Sequence, residues 1–95
     1  QAVADIFVAP ALLDYIQALI QFSRESEEYH TGLSPRAGLA LLTAAKAWAY
    51  MHRREAVIPE DVQAVLGAVA GHRLQAGKTD AQSIVAPLLN QVAIP

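Results

Sequence analysis

The sequence predicts an all-α domain, a small four-helix bundle, and three observations carry that expectation. Nineteen of the 95 residues are alanine and aromatic residues are 6%, a balance that suits closely packed helices rather than strands. Apolar side chains recur at helical spacing in separate stretches. Proline, serine, glycine and acidic residues fall at the ends of those stretches, where helices start and stop.

Taken in order, Gln1 to Ala9 reads as extended, with Val3, Ile6 and Val8 as buried points. Pro10 opens a first helix that runs to about Glu25. Leu12, Leu13, Ile16, Leu19, Ile20 and Phe22 form its inner face, with Asp14, Gln17, Gln21 and Arg24 outside. Ser23 to Leu33 is polar and punctuated by Gly32, so it reads as a solvent-exposed connection.

Ser34-Pro35-Arg36 begins the second helix, which extends to about Arg53. Ser34 caps it and Pro35 suits its first position. Leu39, Leu41, Leu42, Ala44, Ala45, Trp48, Ala49 and Met51 make it apolar around most of its circumference. Such a helix is expected at the centre of the bundle, with Trp48 largely buried. Its polar members gather on one stripe, Arg36, Thr43, Tyr50 and Arg54, flanked by Lys46 and Arg53.

Ala56-Val57-Ile58 is a short extended link. Pro59-Glu60-Asp61 starts a third helix, its acids where the helix dipole favours them, and the helix reaches about Ala70 with Gly71 just past its end. His72 to Thr79 reads as a loop. Asp80 or Ser83 caps a last helix that ends near Val92, and Pro87 lies in its first turn or kinks it.

Composition bounds the function. A chain this size is one domain, spanning 1–95, that buries roughly 60–65% of its unfolded surface. Hydrophobic residues make up 54%, mean hydropathy is +0.26, charged residues are 17% and the net charge is −2. No basic block exists, which argues against a nucleic-acid partner. No apolar run approaches the ~20 residues of a membrane span. The absence of cysteine excludes thiolate metal sites and is compatible with a reducing cytoplasm. The chain begins at Gln1 without a methionine, as a piece of a longer protein would.

The chemistry of a free-standing enzyme is absent. Gly71 to Thr79 nearly reads as a phosphate-binding loop, but five residues separate Gly71 from Gly77 where the motif takes four. His30, His52 and His72 lie in different elements, so no metal site is expected. Glu27-Glu28 and Glu60-Asp61 suit capping and solubility, and Ser34 has no base to make it a nucleophile. Arg36 is the exception. A cation in the first turn opposes the helix dipole, yet a guanidinium beside free backbone N–H groups can meet a phosphate oxygen. Local chemistry leaves two readings open, a solvated surface arginine or a phosphate ligand.

Gly32-Leu-Ser-Pro-Arg-Ala37, continuing through Leu41-Leu42-Thr-Ala-Ala-Lys-Ala47, resembles the C-terminal lid of MoxR-type AAA+ ATPases. Leu13-Asp14-Tyr15-Ile16, Val57 to Val62 and His72-Arg73-Leu74 fit the same pattern in order. Two places depart from it. Arg53-Arg54-Glu55-Ala56 replaces both a turn glycine and an aromatic, and Ser23-Arg24 stands for the usual Thr-Arg.

The resemblance implies that Arg36 is the sensor-2 residue, the lid arginine that contacts the terminal phosphates of ATP. Ser34, Pro35, Lys46 and Arg53 would then lie near the nucleotide or an interface. ATP and Mg2+ belong to the full-length protein, whose core supplies the remaining catalytic parts, and the isolated chain would bind neither and be silent. The resemblance further implies a cytoplasmic, chaperone-like homo-hexamer acting with a von Willebrand factor A-type partner in assembly or metal-cofactor insertion. An alternative from another class is a free-standing helical interaction module whose Arg36–Lys46–Arg53 face holds an acidic protein.

Overall fold

A computed structural model of the chain describes residues 3–26, 32–70 and 81–94. After a 3-10 turn at Val3–Asp5 come four helices, α1 (Pro10–Glu25), α2 (Pro35–Met51), α3 (Pro59–Ala70) and α4 (Ala81–Gln91). The all-α expectation holds, and the described residues contain no strand beyond one isolated parallel bridge, Phe7 with Ala56. Every helix contributes fully buried side chains, among them Leu19, Leu41, Val62, Leu66, Val85 and Leu88. Ala37, Leu41, Ala45 and Ala49, spaced at i, i+4, line the inner face of α2 and let its neighbours approach closely.

Some expectations need correction. The N-terminal segment starts as a 3-10 turn rather than extended chain, and only Ile6 is fully buried, with Val3 and Val8 half-buried. The second helix is not central: α1 and α3 each pack on all three other helices, whereas α2 packs on α1, α3 and the 3-10 turn and does not reach α4. Alanines take its inner positions, so Leu39 and Met51 face outward, 65% and 72% exposed, while Trp48 packs against the core as expected. In α1, Leu13 is 41% exposed, while Tyr15, not among the expected inner residues, and Ser23, expected in the exposed connection, are buried. Gln63 donates to the Tyr15 hydroxyl at 3.3 Å, joining α3 to α1.

Of the two places expected for Pro87, the structure shows the interior of α4 rather than its first turn. The proline leaves the carbonyl of residue 83 without its helical N–H. Burial of Val85 and Leu88 on either side offsets that loss, since packing routinely outweighs propensity. The expected cap at Asp80, the loop at His72 to Thr79 with its near phosphate-loop spacing, and Glu27-Glu28 with His30 lie outside the described residues.

Candidate functional site

The start of α2 is built from four residues that fix the chain before Arg36 appears. Ser34 has an extended backbone (φ −83, ψ 164), and its Oγ accepts the Ala37 N–H at 3.3 Å. Its carbonyl accepts the same N–H at 3.0 Å and that of Gly38 at 3.3 Å. Pro35 follows at the first helical position. One residue earlier, Leu33 is buried, and its N–H donates to the Ser23 hydroxyl at 2.8 Å while that hydroxyl donates to the Ile20 carbonyl at 2.7 Å. The end of α1 therefore holds the beginning of α2, and the segment ending at Leu33 is anchored at both ends rather than wholly solvent-exposed.

Glycines permit that closeness. A Cβ on Gly32 would stand 2.7 Å from the Arg24 Cα and 3.0 Å from its nitrogen, so no side chain fits against the α1 backbone. A Cβ on Gly38 would press on the end of Ile20, where α1 and α2 cross. A shallow apolar groove of about 280 Å3 runs along this crossing beside Pro35, with Leu13 and Leu39 at its lips.

Arg36 projects from this fixed start as an exposed residue in the first turn of α2. Ser34 and Pro35 are exposed beside it. Lys46 lies half-buried further along the helix, and Arg53 is exposed beyond its far end. At 1.5 Å per residue, α2 separates Arg36 from Arg53 by about 25 Å. Arg36 and Arg53 therefore cannot reach the same phosphate group. Among the described residues, no group of three or more His, Asp or Glu side chains could hold a metal ion.

The opposite end of α2 is organised differently. His52 closes the helix, its Nδ1 2.8 Å from the Trp48 carbonyl and its ring stacked on Trp48 at 4.6 Å. Arg53 follows in the left-handed region at φ 60. The Arg53 N–H bonds the Tyr50 carbonyl at 3.0 Å and the Arg54 N–H bonds the Ala49 carbonyl at 2.9 Å, the paired closure of a Schellman turn. Arg53 thus adopts the conformation of the turn glycine it replaces.

Arg54 leaves the expected outer stripe altogether. Its Nη2 donates to Asp61 Oδ1, and Asp61 is fully buried. Asp61 Oδ2 accepts the Ile58 N–H at 2.9 Å, and the Asp61 N–H returns to the Ile58 carbonyl at 2.9 Å. Asp61 is therefore a buried link that caps α3 and ties it to the end of α2, not a surface acid. Its place three residues after Ile58 was the one available signal, since an acid there can reach back to the capping residue.

A profile of the AAA lid domain family matches residues 21–88. Bacillus subtilis YeaC, an uncharacterised protein, is 31% identical over 91 residues, covering 90% of this chain and 28% of its own length. Chaperone MoxR1 of Mycobacterium tuberculosis is 32% identical over 107 residues, 97% of this chain and 28% of its own. Protein MoxR of Paracoccus denitrificans is 51% identical over 43 residues, 45% of this chain and 13% of its own. The crystal structure of a candidate ATPase from Cytophaga hutchinsonii superposes with a TM-score of 0.86 at 26% identity, over 98% of this chain and 33% of that one. The chain thus spans a third or less of the length of the relatives it matches.

Proposed function

Because this chain belongs to the AAA lid domain family, in its MoxR type, we propose that it closes over ATP bound to the core of the same polypeptide, with Arg36 as the sensor-2 arginine. The observation that carries this reading is the exposed guanidinium at a rigidly fixed helix start. The residues fit a terminal phosphate: a planar fork of donors stands beside the positive end of a 17-residue helix. They do not fit Mg2+, whose ligands the core would supply.

When bound, ATP supplies the phosphoanhydride whose cleavage spreads negative charge over the transferring phosphoryl oxygens. Arg36 opposes that charge once the lid has closed, so it acts on turnover more than on first binding. Ser23 and Ser34 fix the helix start from which it projects. The same reading implies a chaperone-like homo-hexamer in the cytoplasm, acting with a von Willebrand factor A-type partner. No helix of the described residues is long and apolar enough to cross a membrane.

The test is made in the ATPase that carries this lid. Arg36→Ala lowers the hydrolysis rate by about 10-fold or more, at least ~1.4 kcal/mol of barrier. Arg36→Lys rescues poorly, because a point charge cannot reproduce the fork. Thr43→Ala, whose hydroxyl only bonds the Leu39 carbonyl one turn back, leaves the rate unchanged. Full activity in Arg36→Ala returns Arg36 to the surface-residue reading. The 95-residue chain alone hydrolyses no ATP.

A further inference from the structure

The far end of α2 presents an open backbone edge beside a groove, about 25 Å from Arg36. Phe7 donates its N–H to the Glu55 carbonyl at 2.8 Å and accepts the Val57 N–H at 2.9 Å. Backbone groups alternate in direction along an extended segment, so the N–H and C=O of Ala56 point away from Phe7. Neither has a partner among the described residues. Ala56 lines an open groove of about 920 Å3 together with Tyr50, Met51, Arg53 and Ile58. Tyr50, Met51 and Ile58 are 43%, 72% and 37% exposed.

A second, independent observation is the backbone of Arg53. At φ 60 it carries strain that glycine would not. Its guanidinium is exposed and forms no hydrogen bond or ion pair with a described residue. No described residue rewards an arginine there. The Schellman bonds explain the left-handed backbone but not the choice of arginine over glycine, and such strain on an unpartnered side chain points to a use outside the fold. Arg54, the neighbouring cation, is committed to Asp61.

We propose that this groove binds an extended peptide segment that adds a strand to Ala56, seats one apolar side chain against Met51, Tyr50 and Ile58, and places a carboxylate on Arg53. Main-chain bonds to an unpaired edge supply affinity in this mode, while the pocket and the cation select the side chains. The carboxylate belongs at the Arg53 side of the groove, because Glu55 lines it as well and repels an acid placed beside it.

The probe is a blocked peptide alternating valine and aspartate, titrated into the 95-residue chain and followed by amide NMR. The Ala56 amide is expected to shift in proportion to bound peptide. Arg53→Ala weakens binding by about fivefold, the scale of one exposed charge pair. Arg53→Gly weakens it equally while raising the melting temperature, which separates loss of contact from loss of fold. N-methylation of the peptide abolishes binding, and lysine in place of aspartate weakens it. An unshifted Ala56 amide, undiminished binding of the N-methylated peptide, or equal affinity for the lysine peptide overturns the proposal. Because no readout involves Arg36 or ATP, its failure leaves the lid reading untouched, and the reverse holds too.

Discussion

The two ends of α2 each display an arginine, and they hold it by opposite means. At the N-terminal end the backbone is relaxed: Ser34 caps, Pro35 is preset, and Ser23 on α1 fixes the approach. At the C-terminal end Arg53 sits at φ 60 and Arg54 is drawn inward to a fully buried carboxylate. The difference teaches that exposure and residue type do not decide what an arginine does for the fold. Arg36 hangs from a frame that is complete without it, Arg54 is part of the frame, and Arg53 strains it.

The largest break in that comparison should come from Asp61→Ala. It leaves the Arg54 guanidinium without its partner and the Ile58 N–H without its acceptor, and the Arg54 Nε is already buried without one among the described residues. We expect a loss of about 3 kcal/mol, discounted for the partly exposed Arg54, and a melting temperature lower by roughly 12–24 °C. Adding Arg54→Met should lose clearly less than the sum of the single effects, which a double-mutant cycle in urea would read. Strict additivity would mean the pair is not coupled.

Ser23→Ala comes next. The buried Leu33 N–H loses its acceptor, at about 1–3 kcal/mol. Hydrogen exchange should show that amide opening in the variant, and unchanged protection would remove Ser23 from the frame. Ser34→Ala should destabilise by about 1 kcal/mol, the usual loss of a serine cap, measured as a shift in denaturant midpoint at constant slope.

At the strained end the sign reverses. Arg53→Gly should stabilise the fold by about 0.5 kcal/mol, the relief of left-handed strain less the greater unfolded freedom of glycine. Calorimetry that finds it destabilising would show the guanidinium to be a structural contact. The smallest effect belongs to Arg36→Ala, expected within ~0.5 kcal/mol of the parent in melting experiments. A larger loss would merge the two ends into one kind of arginine.

These cases also show what the sequence made legible. The bounds of α1 and α3 and the Ser34 cap were readable because each signal acts within one turn. Ser23 was not, because its partner Leu33 is ten residues away and both appear in a polar run. Asp61 looked like half of an acidic pair at a helix start, and its burial depends on Arg54, which periodicity had placed on the outer stripe. That stripe failed at Arg54 because the helix ends at Met51 and the left-handed Arg53 turns the chain inward. The centrality of α2 failed for a related reason: hydrophobic circumference counts side chains without saying which are alanine, and its small residues face the core while Leu39 and Met51 face out. What singles out Arg36 in the sequence is its motif, not its local chemistry, and the structure adds that it is exposed at a capped helix start.

The stacked pair at the end of α2 also gives the protein a built-in optical label. Trp48 is the sole tryptophan in the chain, half-buried, and seated against His52 next to the Schellman turn. Its emission therefore reports the polarity of the strained end alone, without any attached dye. A peptide settling on Tyr50 and Met51 or a loosening of the Arg54–Asp61 link should colour that signal. Events confined to Arg36, about 18 Å away along the helix, should leave it dark.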